Sequence, residues 1–234
     1  DTKDQNWASF VDPMIGTGGV GHTYPGATVP FGMVQLSPDT GRDGSWEGCA
    51  GYFYPDSLIY GFSHTHLSGT GCSDYGDVLT IPCSSDSINF KPEIYASTYS
   101  HASEVATPGY YAVTLADHNI RCEMTTTTRS GLQRYSYPKD VNPAILLDLV
   151  HRDYVLGSTI KIVNDHRVAQ AIGHIIMQRS LITGIRNSRV AWRTYNISLG
   201  VFWSHRFAMQ QNSIFCFIFC LLISDGILRL SLFW

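Results

Sequence analysis

The sequence predicts an all-β fold, an antiparallel β-sandwich with glycine-rich loops, and three features predict it. Thirteen Tyr and five Trp occur beside 21 Gly and ten Pro, a composition of short strands and many turns. The stretch from Val11 to Asp39 is rich in Gly and Pro and nowhere carries a helical apolar period. From Ile88 onward, short runs of β-branched and aromatic residues alternate with Pro, Gly, Asp or Asn turns, the spacing of a sandwich.

Taken in order, Phe31–Leu36 (FGMVQL) is the first strand candidate, closed by the turn sequence Ser37-Pro38-Asp39-Thr40-Gly41. A loop, GRDGSWEGCAGYFYPDS, follows. Ile59–His64 and Val78–Ile81 read as short strands flanking SGTGCSDYGD, another Gly-rich connection. INF at 88–90 and the TYS segment near Tyr99 are further short runs. Tyr110–Leu115 (YYAVTL) partly alternates, and four consecutive Thr within Glu123–Arg129 disfavour helix through crowding at χ1. Turns at Asp117-His118-Asn119 and Ser130-Gly131 would join these strands into hairpins, and NPAILLDLV supplies a further strand.

The 234 residues are 44% apolar, enough for a sizeable core, and the formal charge is −3. No clustered basic face is present, so nucleic-acid binding is excluded from the expectations. The chain divides by composition. Residues 1–166 hold eighteen of the nineteen acids with four Lys and five Arg, whereas residues 167–234 hold seven Arg, no Lys and only Asp225. The second part is therefore expected to be a poorly ordered tail foreign to the fold, with out-of-frame translation as its origin. Its apolar run Ile214–Ile223 (IFCFIFCLLI) is shorter than the roughly 17 to 25 residues of a membrane helix, and no span is expected. Asp1–Gln5 is polar, so a signal peptide is expected to be absent or removed. Of the six Cys, none of the first four (Cys49, Cys72, Cys83, Cys122) forms a close C-x-x-C metal pair; each is expected to be a buried small hydrophobe or an unpaired thiol.

Candidate functional side chains concentrate in the Gly-rich connections: His22, Trp46, Glu47, His64, His66 and Asp74. In a strand, His64 and His66 would project from one face and could share a ligand or metal, while the plainer reading is a histidine bonded to a loop carbonyl and a half-exposed neighbour. Trp46 stands among small residues, so its indole is either presented as a platform for a sugar or packed into the core. Asp74 and Asp77 surround Gly76; paired carboxylates serve as acid and base or as Ca²⁺ ligands, but most such pairs cap turns. No nucleophile elbow, P-loop or dinucleotide fingerprint occurs.

The strings VDPMIGTGG, GHTYPGATVPFGMVQLSPDT, GCAGY and GFSHTHLSGTGCSDYGD, continued by TPGYYAVTL, TTTTRSGLQRYSYP and ILLDLVHRD, resemble the N-terminal domain of glycoside hydrolase family 92 over about the first 165 residues. The resemblance implies a supersandwich-like β domain that precedes a C-terminal (α/α)6 barrel in an exo-acting, Ca²⁺-dependent, inverting α-mannosidase of mannose-containing glycans. It places the catalytic acid, the base and most of the metal site in the barrel, so this chain is expected to hold no catalytic residue, to bind no Ca²⁺ itself and to be inactive alone. The substrate-contacting segments it implies are those of His22, of Trp46, Glu47 and Cys49, and of His64, His66 and Asp74, with Trp46 on the leaving-group side. It further implies export to the periplasm or cell surface, or secretion. The alternatives are a stand-alone carbohydrate-binding module without catalysis and a structural, misfolding-prone product.

Overall fold

The computed structural model of the chain describes residues 6–42, 45–73, 75–152, 155–164, 167–174, 199–210 and 213–223. Fourteen strands carry these residues: β1 (Ser37–Asp39), β2 (Leu58–Ile59), β3 (Gly61–Ser63), β4 (Leu79–Ser84), β5 (Ser97–Thr98), β6 (Val105–Thr107), β7 (Tyr110–Leu115), β8 (Ile120–Thr126), β9 (Ser130–Ser136), β10 (Pro143–Asp148), β11 (Val155–Asn164), β12 (Arg167–His174), β13 (Leu199–Gln210) and β14 (Ser213–Ile223). One short helix, α1 (Pro92–Tyr95), lies between β4 and β5.

All pairings are antiparallel. A four-stranded sheet runs β1-β3-β4-β10, an eight-stranded sheet runs β11-β12-β13-β14-β9-β8-β7-β6, and β2 pairs with β5 alone. The two larger sheets face each other across a core containing Leu36, Phe62, Leu79, Ile81, Val113, Ile120, Met124 and Tyr135. The contact between layers is direct: Phe62 and Tyr135 have ring centroids 6.2 Å apart, and Thr80 Oγ1 lies 3.0 Å from both the Tyr135 hydroxyl and Gln133 Oε1. β8 alternates buried and more exposed positions along its length, as a strand with one face inward must.

The hairpins of β7, β8 and β9 lie where the turn sequences put them; Asn119 takes a left-handed φ of 51°, a conformation Asn tolerates in tight turns. Four expectations are corrected. Phe31–Leu36 is not a strand: Phe31 is fully exposed at φ 57°, and only Leu36 bridges, to Ala27. The chain enters the sheet at Ser37-Pro38-Asp39, the sequence read as a turn, because β1 is an edge strand and tolerates the missing N–H of Pro38. Ile59–His64 divides into β2 and β3 around Tyr60. The INF run at 88–90 lies in the connection before α1, with Ile88 and Phe90 exposed.

Beyond His166, β12, β13 and β14 extend the large sheet, and β14 inserts between β13 and β9, pairing Ile214 with Tyr135 and Cys216 with Gln133. Cys216 is fully buried and belongs to the core.

Candidate functional site

The loops at one end of the small sheet bring His22, Trp46 and Cys49 together. Nδ1 of His22 lies 3.1 Å from the Cys49 Sγ, and the imidazole meets the Trp46 indole edge-on with centroids 4.5 Å apart at 80°. Behind the indole lies Gly71, at φ +67°, where a Cβ would stand 2.9 Å from Trp46 Cη2 and 3.5 Å from His22 Cδ2. A glycine is required there both for its backbone conformation and for the approach of the ring. Trp46 is thereby backed by His22 and Gly71 while 57% of its surface stays exposed. Glu47 beside it is exposed; Cys49 is buried, and burial pushes its thiol pKa up against the opposing effect of Arg152. His22 is 7% exposed, and its Nε2 has no hydrogen-bond partner.

His64 and His66 lie behind this surface. Burial lowers the His64 pKa to about 4, against the pull of the Val78 carbonyl and Asp77, so the ring is neutral at pH 7 and its Nδ1–H donates to the Val78 carbonyl. Val78 sits at φ 51°, a strained conformation for a β-branched residue, at the entry to β4. His66 is also buried: Nδ1 lies 3.0 Å from the Gln35 carbonyl, and Nε2 lies 3.0 Å from Ser63 Oγ and 3.2 Å from Asp39 Oδ1. The two imidazoles therefore brace different loops; the carbonyl bond of the plainer reading is present at His64, but its neighbour His66 is buried rather than half-exposed. Chain direction explains the difference, since β3 ends at Ser63 and the strand alternation does not continue through both residues. Ser63, His66 and Asp39 do not form a nucleophilic triad, because the hydroxyl and the carboxylate meet the same ring nitrogen.

Asp39, His151 and Arg152 were not singled out from the sequence, and they anchor the loops. Asp39 is fully buried and accepts from the Ser63 N–H at 3.1 Å; His151 Nε2 and Arg152 Nη1 each stand 3.8 Å from its oxygens. Burial raises its pKa, but His66 by charge and hydrogen bond, with His151 and Arg152, outweighs that and holds it below the ordinary carboxylate range. The Arg152 Nη2 donates to the carbonyls of Gly48 (3.0 Å) and Cys49 (2.6 Å) and to Ser73 Oγ (3.1 Å), tying the Trp46 loop to the 69–73 loop. The only sequence signal was charge within the apolar run ILLDLVHRD; the Arg152 partners lie 79 to 113 residues upstream, at Ser73, Cys49, Gly48 and Asp39.

Asp77 is buried and exchanges hydrogen bonds with Thr65, whose hydroxyl donates to Oδ2 at 2.9 Å while accepting from the Asp77 N–H at 3.1 Å. That is the turn-capping role rather than an acid or base facing solvent. Asp74 lies outside the described residues. Among the described residues no three His, Cys, Asp or Glu side chains converge as a metal site, and the buried Asp39 and Asp77 already accept internal donors.

The sequence model of the glycosyl hydrolase family 92 N-terminal domain matches residues 10–189. A protein from Arthroderma benhamiae described as an uncharacterized secreted glycosidase is 38% identical over 152 residues, 60% of this chain and 19% of that protein. Among solved structures, a GH92 α-mannosidase from Bacteroides thetaiotaomicron superposes with a TM-score of 0.71 at 28% identity, over 94% of this chain and 32% of that one. An inverting GH92 mannosidase of the same organism gives 0.67 at 24% identity, over 97% and 31%. The chain thus spans a fifth to a third of the relatives it matches. With the match running from the loop of His22 through the anchor at Arg152 and into β12, the chain belongs to glycosyl hydrolase family 92, as its N-terminal domain.

Proposed function

We propose that this domain is the carbohydrate-contacting wall of an inverting exo-α-mannosidase that acts on mannose-containing glycans. The observation that carries the reading is Trp46, a half-exposed indole held between His22 and Gly71, flanked by the exposed carboxylate of Glu47. An electron-rich ring face takes the C–H bonds of a sugar, and a neighbouring carboxylate accepts from its hydroxyls. The solved mannosidases with this fold support the choice of sugar.

Inversion needs an acid and a base spaced about 6.5 to 9.5 Å apart to admit a water. Of the described carboxylates around Trp46, Asp39 and Asp77 are buried in structural contacts and only Glu47 is exposed. We assign acid, base and Ca²⁺ to the portion of the relatives that this chain does not span, an (α/α)6 barrel, so the domain by itself is inactive. The secreted description of the Arthroderma relative supports export to the periplasm, the cell surface or the medium.

The test is hydrolysis of an α-mannoside by the purified chain with Ca²⁺ present, run beside titration of its tryptophan fluorescence with mannose. No turnover, with a weak fluorescence change lost in Trp46→Ala, is the expected result; one wall buries little of a monosaccharide, so Kd should be on the order of millimolar. Turnover abolished by chelator would overturn the assignment of the chemistry elsewhere. Tight mannoside affinity without turnover would instead favour a stand-alone carbohydrate-binding module.

A further inference from the structure

Two cysteines flank the Trp46 platform, one on each of the loops that hold it. Cys49 and Cys72 are both thiols here, as are Cys83, Cys122 and Cys216. We propose that Cys49 and Cys72 are a thiol pair that closes into a disulfide on export, fastening the 45–50 loop to the 69–73 loop around Trp46. This rests on the exported location inferred above, since disulfides persist outside the reducing cytosol.

The placement comes from contacts that converge on both residues. One Arg152 nitrogen donates to the Cys49 carbonyl and to the hydroxyl of Ser73, the neighbour of Cys72, so the two loop backbones lie within two hydrogen-bond lengths of a common atom. From the other side, Gly71, the other neighbour of Cys72, abuts the His22 ring, whose Nδ1 touches the Cys49 Sγ. Cys72 is also near enough to act electrostatically on Cys49. Neither cysteine lies in a strand, so closure breaks no sheet ladder. The other thiols are differently placed: Cys83, Cys122 and Cys216 are buried in the core between the sheets.

The exchange is ordered by exposure. Cys72 is half-buried and Cys49 is 2% exposed. The Cys72 thiolate attacks one sulfur of a small-molecule disulfide such as oxidised glutathione, forming a mixed disulfide and expelling one thiolate. Cys49 then passes its proton to His22 Nδ1 and attacks the Cys72 sulfur, forming the Cys49–Cys72 bond and expelling the second thiolate. Two protein thiols lose two electrons and two protons, and one small disulfide becomes two thiols. His22 is a positioning base: its Nδ1 lies 3.1 Å from the Cys49 Sγ and takes the proton in the tautomer that carries its own hydrogen on Nε2.

The experiment treats the folded full chain with oxidised glutathione, blocks remaining thiols in denaturant and digests with chymotrypsin, without reduction. That protease cuts at Tyr52–Tyr60 between the two cysteines and at Tyr75 before Cys83. The expected result is a Cys49 peptide joined to a Cys72 peptide, lighter than their sum by two hydrogen atoms, with the remaining cysteines alkylated. The melting temperature should rise by roughly 5 °C on oxidation and fall back on reduction. Cys49→Ser should accumulate the glutathione adduct on Cys72, and His22→Gln should slow closure several-fold while leaving adduct formation unchanged. Cys49 and Cys72 both alkylated after oxidation, or either joined to another cysteine, would overturn the pair. The thiol map involves no sugar, so its failure leaves the mannoside reading standing, and loss of mannoside binding leaves the pair standing.

Discussion

The two ends of the small sheet's interior are built from opposite materials. Toward the large sheet lie Phe62, Ile81, Met124 and Tyr135, an apolar interior with one small hydroxyl cluster at Thr80. Toward the loops, the same sheet encloses Asp39, His66, His151 and Arg152, each at most 5% exposed. The apolar end holds the layers together without directional demands. The charged end supplies directional bonds to loop carbonyls and amides, which is what fixing irregular backbone around Trp46 requires. Such a network tolerates loss of a member poorly, because the remaining charge stays buried.

Perturbations should separate the two ends. Phe62→Ala should destabilise by about 3 to 5 kcal/mol through lost burial and a cavity, equally at all pH values in urea denaturation. Asp39→Asn should lower stability by a similar ~3 to 5 kcal/mol at pH 7, since it strands the Arg152 charge; because the folded-state pKa is depressed, this difference is present above the ordinary carboxylate pKa of about 4 and lost as pH falls through the folded value. The His64 window lies higher. With a folded pKa lowered to about 4, the unfolded chain binds the proton first, so stability should fall by on the order of 3 kcal/mol between pH 6.5 and 4. His64→Gln should flatten that slope in denaturation midpoints measured across the window. Tyr135→Phe removes one hydroxyl from the Thr80 cluster and should cost about 1 kcal/mol. Smallest of all for stability, Trp46→Ala should shift the midpoint by less than about 0.5 kcal/mol while removing the mannose-dependent fluorescence change.

Legibility followed the range of the contacts. β7, β8 and β9 are joined by short turns whose residues advertise them, so YYAVTL and the Thr run could be read locally. β1 could not, because Ser-Pro-Asp has turn chemistry and becomes a strand only by pairing with Gly61–Ser63. At the site, the Gly-rich loops around aromatic and imidazole groups were a local signal for His22 and Trp46, and the family resemblance added Cys49; the fold gathers all three. The sequence left His64 and His66 open between a shared ligand or metal and a carbonyl-bonded histidine with a half-exposed neighbour; the carbonyl bond is made by His64 to Val78, but His66 is buried as well. The Asp39–Arg152 anchor was illegible because its halves lie on β1 and after β10, and no local pattern records which buried acid meets which buried base.

The insertion of β14 between β13 and β9 has a consequence for biosynthesis. A nascent chain emerging N-terminus first completes β9 at Ser136 but gains its second neighbour only with Ser213–Ile223, so the outer edge of β9 waits until β14 begins, 77 residues further along the chain. An open strand edge in that interval is a template for pairing with another polypeptide, and long-range strand insertion is slow. The vulnerable stage for aggregation therefore falls before β14 is made, when holdase chaperones that shield Ser130–Ser136 should raise the yield of folded protein most.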